Sequence, residues 1–146
     1  MPPAKNPLKA YSKEPFKTSD FTIGVTLGLG SFGRVRLVTH KQSESIWALK
    51  ELHKAEVYRH KQVEHVLNEK HIMGRLTHPS AVSLAGTFQD ERCLYLIMSF
   101  AVGGELYRHL RSAQRFDNNV AKFYAAQVDT FPVAIKDKCV KESNTF

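Results

Sequence analysis

The feature that most restricts this chain is a glycine triplet with strand-like sequence on both sides of it. Gly28-x-Gly30-x-x-Gly33 follows residues 21–27, where Phe21-Thr22-Ile23 and Val25-Thr26-Leu27 have the composition of a strand. It precedes Arg34-Val35-Arg36-Leu37-Val38-Thr39, which alternates polar and apolar side chains. Alternation at period two marks a strand with one face buried. A triplet of this spacing that opened a helix would aim the first helical N–H groups at a pyrophosphate, as in dinucleotide-binding folds. Here a strand follows the third glycine, which disfavours that reading. The glycines then form the tip of a hairpin, where a backbone without Cβ atoms lets N–H groups approach phosphate oxygens.

The rest of the pattern extends that hairpin into a small α+β unit. A polar loop at 40–45 leads into a third strand at 46–50. Residues 59–76 change to helical period, with Val63, Val66, Leu67, Met73 and Leu76 on one stripe. Strands are predicted at 81–84 and 94–98, with a turn at 89–92 between them. Gly103-Gly104 breaks the pattern before a short helix at 105–111 and a second amphipathic helix from Val120 to Val128. Pro132 is expected to end that helix, because proline inside a helix costs about 3 kcal/mol. Gly24 and Gly86 fall inside predicted strands and are expected to weaken them. The expected domain organisation is a mobile proline-rich leader at 1–20, a lobe at 21–98, a hinge and second short segment at 99–128, and a disordered tail at 129–146.

Two further groups give the glycine hairpin chemical meaning. Lys50 ends the third strand, and Glu69 lies nineteen residues later, three after Val66 and four before Met73. That spacing puts Glu69 on the inward side of the helix. A carboxylate there is costly to bury unless paired, and Lys50 is the partner on offer. The run Leu94-Tyr95-Leu96-Ile97-Met98-Ser99-Phe100-Ala101-Val102-Gly103-Gly104-Glu105 is an apolar strand leading to a glycine pair and then an acid. Such a hinge could read the edge of an adenine with its backbone and a ribose hydroxyl with the acid.

These residues resemble serine/threonine protein kinases of the AGC group, of the cyclic-AMP-dependent type. The likeness rests on Gly-Leu-Gly-Ser-Phe-Gly-Arg-Val at 28–35, on Gln-Val-Glu-His-Val-Leu-Asn-Glu-Lys at 62–70, and on Phe-Tyr-Ala-Ala-Gln at 123–127. It runs from about Phe21 to Val128. The resemblance implies a kinase amino-terminal lobe: a five-stranded antiparallel sheet with one major helix, followed by the first short helices of a carboxy lobe. It implies ATP as ligand, bound as Mg-ATP in the family. Leu27, Val35 and Ala48 would cover the adenine. Gly28, Leu29, Gly30, Ser31, Phe32 and Gly33 would lie over the phosphates. Lys50 and Glu69 would form the ion pair of the active state, and Met98 would be the gatekeeper. Ser99 and Ala101 would offer hinge backbone contacts, and Glu105 would meet the ribose. Met73 and Leu84 would join the hydrophobic spine, though both suit a core without one. His65 would face an activation-loop phosphate, and an exposed helical histidine is the plainer reading. Regulatory or docking partners of such kinases are implied as well.

The sequence departs from that family in one decisive respect. Kinases carry His-Arg-Asp with an asparagine shortly after it, then Asp-Phe-Gly, then Ala-Pro-Glu. None of these occurs in the 146 residues. The expectation is a chain with no catalytic aspartate, no magnesium-holding side chain and negligible phosphoryl transfer of its own. Phe116, Val120, Phe123, Tyr124 and Val128 would then lie exposed or find another partner.

Composition narrows the alternatives. The charge of +7 comes from 21 Lys and Arg against 14 Asp and Glu. Much of the excess falls between Lys50 and Arg75, interleaved with Glu51, Glu56, Glu64 and Glu69, as on a solvated helix face. No nucleic-acid motif accompanies it, so no nucleic-acid partner is expected. No apolar run approaches the ~20 residues of a membrane span. Two cysteines, Cys93 and Cys139, form neither a disulfide framework nor a metal spacing, and no metal site is expected. The start, Met1-Pro2-Pro3-Ala4-Lys5, lacks a signal core. The expected compartment is the cytoplasm, with the nucleus open.

Overall fold

The computed structural model of the chain describes residues 16–76, 78 and 81–129. The expectations for a leader before Phe16 and a tail after Asp129, with Cys139, lie outside the described residues. Two compact units divide at Phe100 and Ala101, the second also taking 76–81.

The first unit is a five-stranded antiparallel sheet with two helices. Strands β1 (Phe21–Gly30), β2 (Gly33–His40) and β3 (Ile46–His53) form a meander, followed by helices α1 (Lys54–Arg59) and α2 (Val63–Arg75) and then by strands β4 (Leu84–Gln89) and β5 (Cys93–Ser99). The order across the sheet is β1-β2-β3-β5-β4. This is the architecture that the sequence implied. Directly paired residues share a face. Val35 pairs with Lys50 and Leu37 with Ala48, while Ala48 also pairs with Met98 and Lys50 with Leu96. One face therefore carries Val35, Ala48, Lys50, Leu96 and Met98. The other carries Val38, Trp47, Leu49, Tyr95 and Ile97.

Each face builds its own apolar cluster. Trp47, Leu49 and Ile97 pack with Phe21, Val38, Cys93 and Tyr95 on one side, with Phe16 and Phe88 against them. Phe88 stacks on Tyr95 with centroids 4.5 Å apart, and Phe16 meets Phe21 at 6.0 Å. Among the described residues, packing extends back to Phe16, five residues ahead of the first strand, and a 3-10 turn at Thr18–Asp20 joins the two. The Lys17 N–H donates to Asp20 Oδ2 at 2.7 Å across that turn. On the opposite side Ala48, Leu52, Val57, Leu96 and Met98 cluster, with Phe32, Val35, Val66, Met73 and Leu84 against them. Met73 and Leu84 therefore share one core.

Several boundaries differ from the sequence reading, each for a physical reason. The helical stretch expected at 59–76 holds α2, and α1 lies ahead of it as a helix the sequence reading did not include. Lys61 takes a left-handed backbone, φ 54°, and turns the chain between them. The inward row of α2 is Val66, Glu69 and Met73, whereas Val63 and Leu67 are exposed. The strand expected at 81–84 begins at Leu84 and runs to Gln89, through Gly86. Gly86 has a packing role: a Cβ there would stand 3.2 Å from the Phe16 ring. Gly24 likewise lies at an irregularity of β1, where a Cβ would meet the Leu37 carbonyl oxygen at 2.9 Å.

The second unit holds α3 (Leu106–Ala113) and a helix α4 at 118–129. Gly103 and Gly104 both have positive φ, 106° and 80°, a backbone that side chains with Cβ rarely adopt. Glu105 is the N-cap residue of α3, but its side chain makes no capping bond. Asp117 starts α4 by accepting the N–H groups of Asn119 and Val120, each at 2.9 Å. Val120, Phe123 and Val128 are exposed, as expected, whereas Phe116 and Tyr124 are half-buried with rings 5.6 Å apart.

Candidate nucleotide site

The site begins with the β1–β2 hairpin. Gly28 pairs with Val35, Leu29 with Arg34 and Gly30 with Gly33, so only Ser31 and Phe32 lie outside the ladder. The predicted six-residue glycine turn is thus mostly strand with a two-residue tip. The glycines divide by what requires them. Gly33 pairs with Leu52, and a Cβ on it would fall 1.8 Å from the Glu51 carbonyl oxygen. The fold itself demands glycine there. At Gly28 a Cβ would meet nothing within 4 Å, and at Gly30 only the Gly33 oxygen at 3.8 Å. Neither has positive φ. Glycine in a strand costs roughly 0.5–1 kcal/mol against alanine. Nothing among the described residues explains that cost at Gly28 and Gly30, and close approach of a ligand would.

Beneath the hairpin lies a cleft of about 230 Å³, bounded by Gly30, Ser31, Phe32, Gly33, Arg34 and Val35 above. Lys50 and Leu52 of β3 and Gln62, His65, Val66 and Glu69 around α2 complete it. Lys50 Nζ donates to Glu69 Oε1 at 2.5 Å. Both side chains are partly exposed, so the cation is fixed in place yet reachable. Strand alternation puts Lys50 on the α2 side of the sheet, and the inward row of α2 brings Glu69 to meet it.

Of the residues named from the sequence, Gly30, Ser31, Phe32, Gly33, Val35, Lys50 and Glu69 line this cleft. Ala48 and Met98 sit opposite each other on the same sheet face, in the apolar cluster that Val35 packs against. Leu27 and Leu29 are exposed on β1. The Ser99 N–H donates to the Ser83 carbonyl at 2.9 Å, and the Ser83 N–H donates back to Ser99 Oγ at 3.0 Å. Ala101 and Glu105 belong to the second unit. His65 lines the cleft, with Nδ1 2.5 Å from Gln62 Oε1.

Gln62, Arg34, Leu52 and Val66 were not foreseen as part of the cleft. Helical spacing back from Glu69 finds two of them, since Val66 is three and Gln62 seven residues earlier.

The opposite sheet face has its own polar group. Tyr95 donates its hydroxyl to Asp90 Oδ2 at 2.8 Å, and the N–H groups of Cys93 and Arg92 donate to Oδ1. The Cys93 N–H, the Tyr95 hydroxyl and the Arg92 N–H hold the Asp90 carboxyl below its usual range. Burial pushes the Cys93 thiol up. Burial and the bond to Asp90 push the Tyr95 phenol up. Glu51 forms ion pairs with Arg34, Nε at 3.3 Å, and Arg36, Nε at 3.8 Å. These groups tie the strands together on the side away from the cleft. No cluster of three metal-ligating side chains occurs among the described residues, and none of their helices is long and apolar enough to cross a membrane.

Comparison with known proteins agrees with this geometry. The family described as the protein kinase domain matches residues 21–130. The cAMP-dependent protein kinase catalytic subunit of Arthrobotrys oligospora is 49% identical over 125 residues, covering 86% of this chain and 24% of that protein. The catalytic subunit of Schizosaccharomyces pombe is 44% identical over 122 residues, 84% of this chain and 24% of the relative. The cAMP-dependent protein kinase type 3 of Saccharomyces cerevisiae is 43% identical over 126 residues, 85% and 32%. The chain spans about a quarter to a third of the length of these relatives. A glycine hairpin over a strand lysine paired to a helix glutamate, on a five-stranded antiparallel sheet, together with these similarities, shows that the chain belongs to the protein kinase family.

Proposed function

We propose that this chain is the ATP-binding portion of a cyclic-AMP-dependent-type serine/threonine kinase and by itself transfers no phosphoryl group. The observation that carries the binding half is the pairing of Lys50 with Glu69 beneath two glycines that the fold does not need. In this reading Gly28, Gly30, Ser31, Phe32 and Gly33 lie over the phosphates, and Lys50 neutralises them. Val35, Ala48 and Met98 bound the adenine with Leu27, the backbone of Ser99 and Ala101 reads its edge, and Glu105 meets the ribose. The inactive half follows from the side chains present. Protein kinases accept the substrate hydroxyl proton on an aspartate and hold magnesium with the Asp-Phe-Gly aspartate and the catalytic-loop asparagine. The 146 residues include none of these motifs. The chain therefore does not fit magnesium as its relatives would hold it, and positioning and charge stabilisation supply most of the rate of phosphoryl transfer.

The test is thermal denaturation of the purified chain with and without ATP, alongside Lys50→Ala. A nucleotide-dependent rise in midpoint that vanishes in the variant supports the reading. A cooperative transition with no nucleotide shift refutes it.

The exposed Val120, Phe123 and Val128 of α4 favour a second reading, a non-catalytic module that competes for the partners of related kinases. In that case the chain added in excess would reduce association of a cyclic-AMP-dependent catalytic subunit with its regulatory subunit, and Phe123→Ser would remove the effect.

A further inference from the structure

The tip of the glycine hairpin is fastened to the corner between α1 and α2. Phe32 is half-buried against the apolar cluster that contains Leu52 and Val57. Its ring lies 5.6 Å from the His60 ring, tilted by 54°, and its carbonyl accepts the His53 N–H at 2.8 Å. His60 is the C-cap residue of α1, with its N–H on the Glu56 carbonyl at 3.0 Å and Nε2 3.6 Å from the Glu56 carboxylate. The His60 carbonyl in turn accepts Gln62 Nε2 at 3.1 Å. The Gln62 N–H donates to the Val57 carbonyl at 2.9 Å, and its Oε1 meets His65 on α2. An unbroken set of contacts thus runs from the hairpin tip through one corner to the helix that carries Glu69. The cleft below is about 230 Å³, under the roughly 300 Å³ at which ligand pockets usually begin. With Phe32 seated on its rim, the cleft is held tight over Lys50.

We propose that His60 is a positioning residue for the glycine hairpin: its ring seats Phe32, so the hairpin lifts only when this aromatic contact opens, and the position of the α1–α2 corner sets how easily that happens. The inference rests on the packing of the chain alone and stands whether or not nucleotide binds.

Hydrogen–deuterium exchange of the whole chain tests it, read at the amides of residues 28–33 with β3 and β5 as internal standards. His60→Ala and Phe32→Ala should each speed exchange of the hairpin amides by about two- to tenfold, the range expected for one aromatic pair, and leave β3 and β5 unchanged. His60→Phe, which keeps a ring without a titrating group, should restore wild-type exchange. Unchanged hairpin exchange in His60→Ala overturns the proposal, and so does a His60→Phe variant as fast as His60→Ala. Loss of protection in β3 and β5 of His60→Ala would also overturn it, because His60 would then hold the core rather than the hairpin.

Discussion

At the scale of single residues, glycines that look alike in the sequence do different work. Gly33 leaves no room for a Cβ against the Glu51 carbonyl, so Gly33→Ala must part β2 from β3 at their first pair. We expect a loss of about 1–3 kcal/mol, typical of forcing atoms into a filled space, measured by chemical denaturation. Gly28→Ala enters open space at negative φ. It should leave stability unchanged or raise it by up to ~1 kcal/mol, while weakening nucleotide binding if the hairpin covers phosphates. Protonation equilibria give a second residue-scale prediction. The Asp90 carboxyl is held below its usual value of 3.8 by bonds that exist only in the fold. Its contribution is present above that value and is lost as pH falls through the lower folded value. Cys93 and Tyr95 are shifted up from 9.0 and 10.0, so their contribution is present below those values and is lost as pH rises past them. Unfolding free energy measured against pH should fall at both ends, and Asp90→Asn should flatten the acid limb.

At the scale of elements, the buried faces of the central strands outweigh the outward face of the helix. Leu49 and Ile97 are paired and fully buried. Replacing either by alanine should cost about 2–5 kcal/mol, as for large core side chains generally. Leu67, on the outward side of α2, should cost within about 0.5 kcal/mol when changed to alanine, and equilibrium urea unfolding separates the two classes. Elements also mark how far the sequence could be read. The hairpin, the third strand and the Lys50–Glu69 pair were legible because strand alternation and helical spacing fix which way each side chain points. Helix α1 was not, because the six residues Lys54–Arg59 are too few to show a helical stripe of their own, and the backbone reversal at Lys61 that follows leaves no glycine to signal it. Val63 and Leu67 looked inward because apolar character alone drew the stripe, whereas the true inward row runs from Val66 through Glu69 to Met73. Strand β4 was placed too early, and Gly86 counted as a weakness in it, because the Phe16 ring that covers Gly86 is a tertiary contact. The fold and the paired residues were therefore readable, while the part of the cleft wall formed by Arg34 and Leu52 depended on tertiary geometry.

At the scale of the molecule, among the described residues both apolar clusters draw on positions from Phe16 to Met98. A chain ending at residue 100 should therefore keep one cooperative transition, with Trp47 fluorescence and far-ultraviolet circular dichroism coinciding. A broad or lost transition would show that the first unit leans on the second. The order β1-β2-β3-β5-β4 leaves β1 with no further neighbour among the described residues. It is ten residues long, and Leu29 on it is 84% exposed. A strand of that kind is a template on which another copy could add itself edge to edge. The register shifts between Ile23 and Thr26 and between Thr26 and Gly28 interrupt that template twice. What reads locally as imperfect pairing is, for a population of such molecules, a guard against fibre growth: a sequence that smoothed those two irregularities should add copies of itself edge to edge more readily.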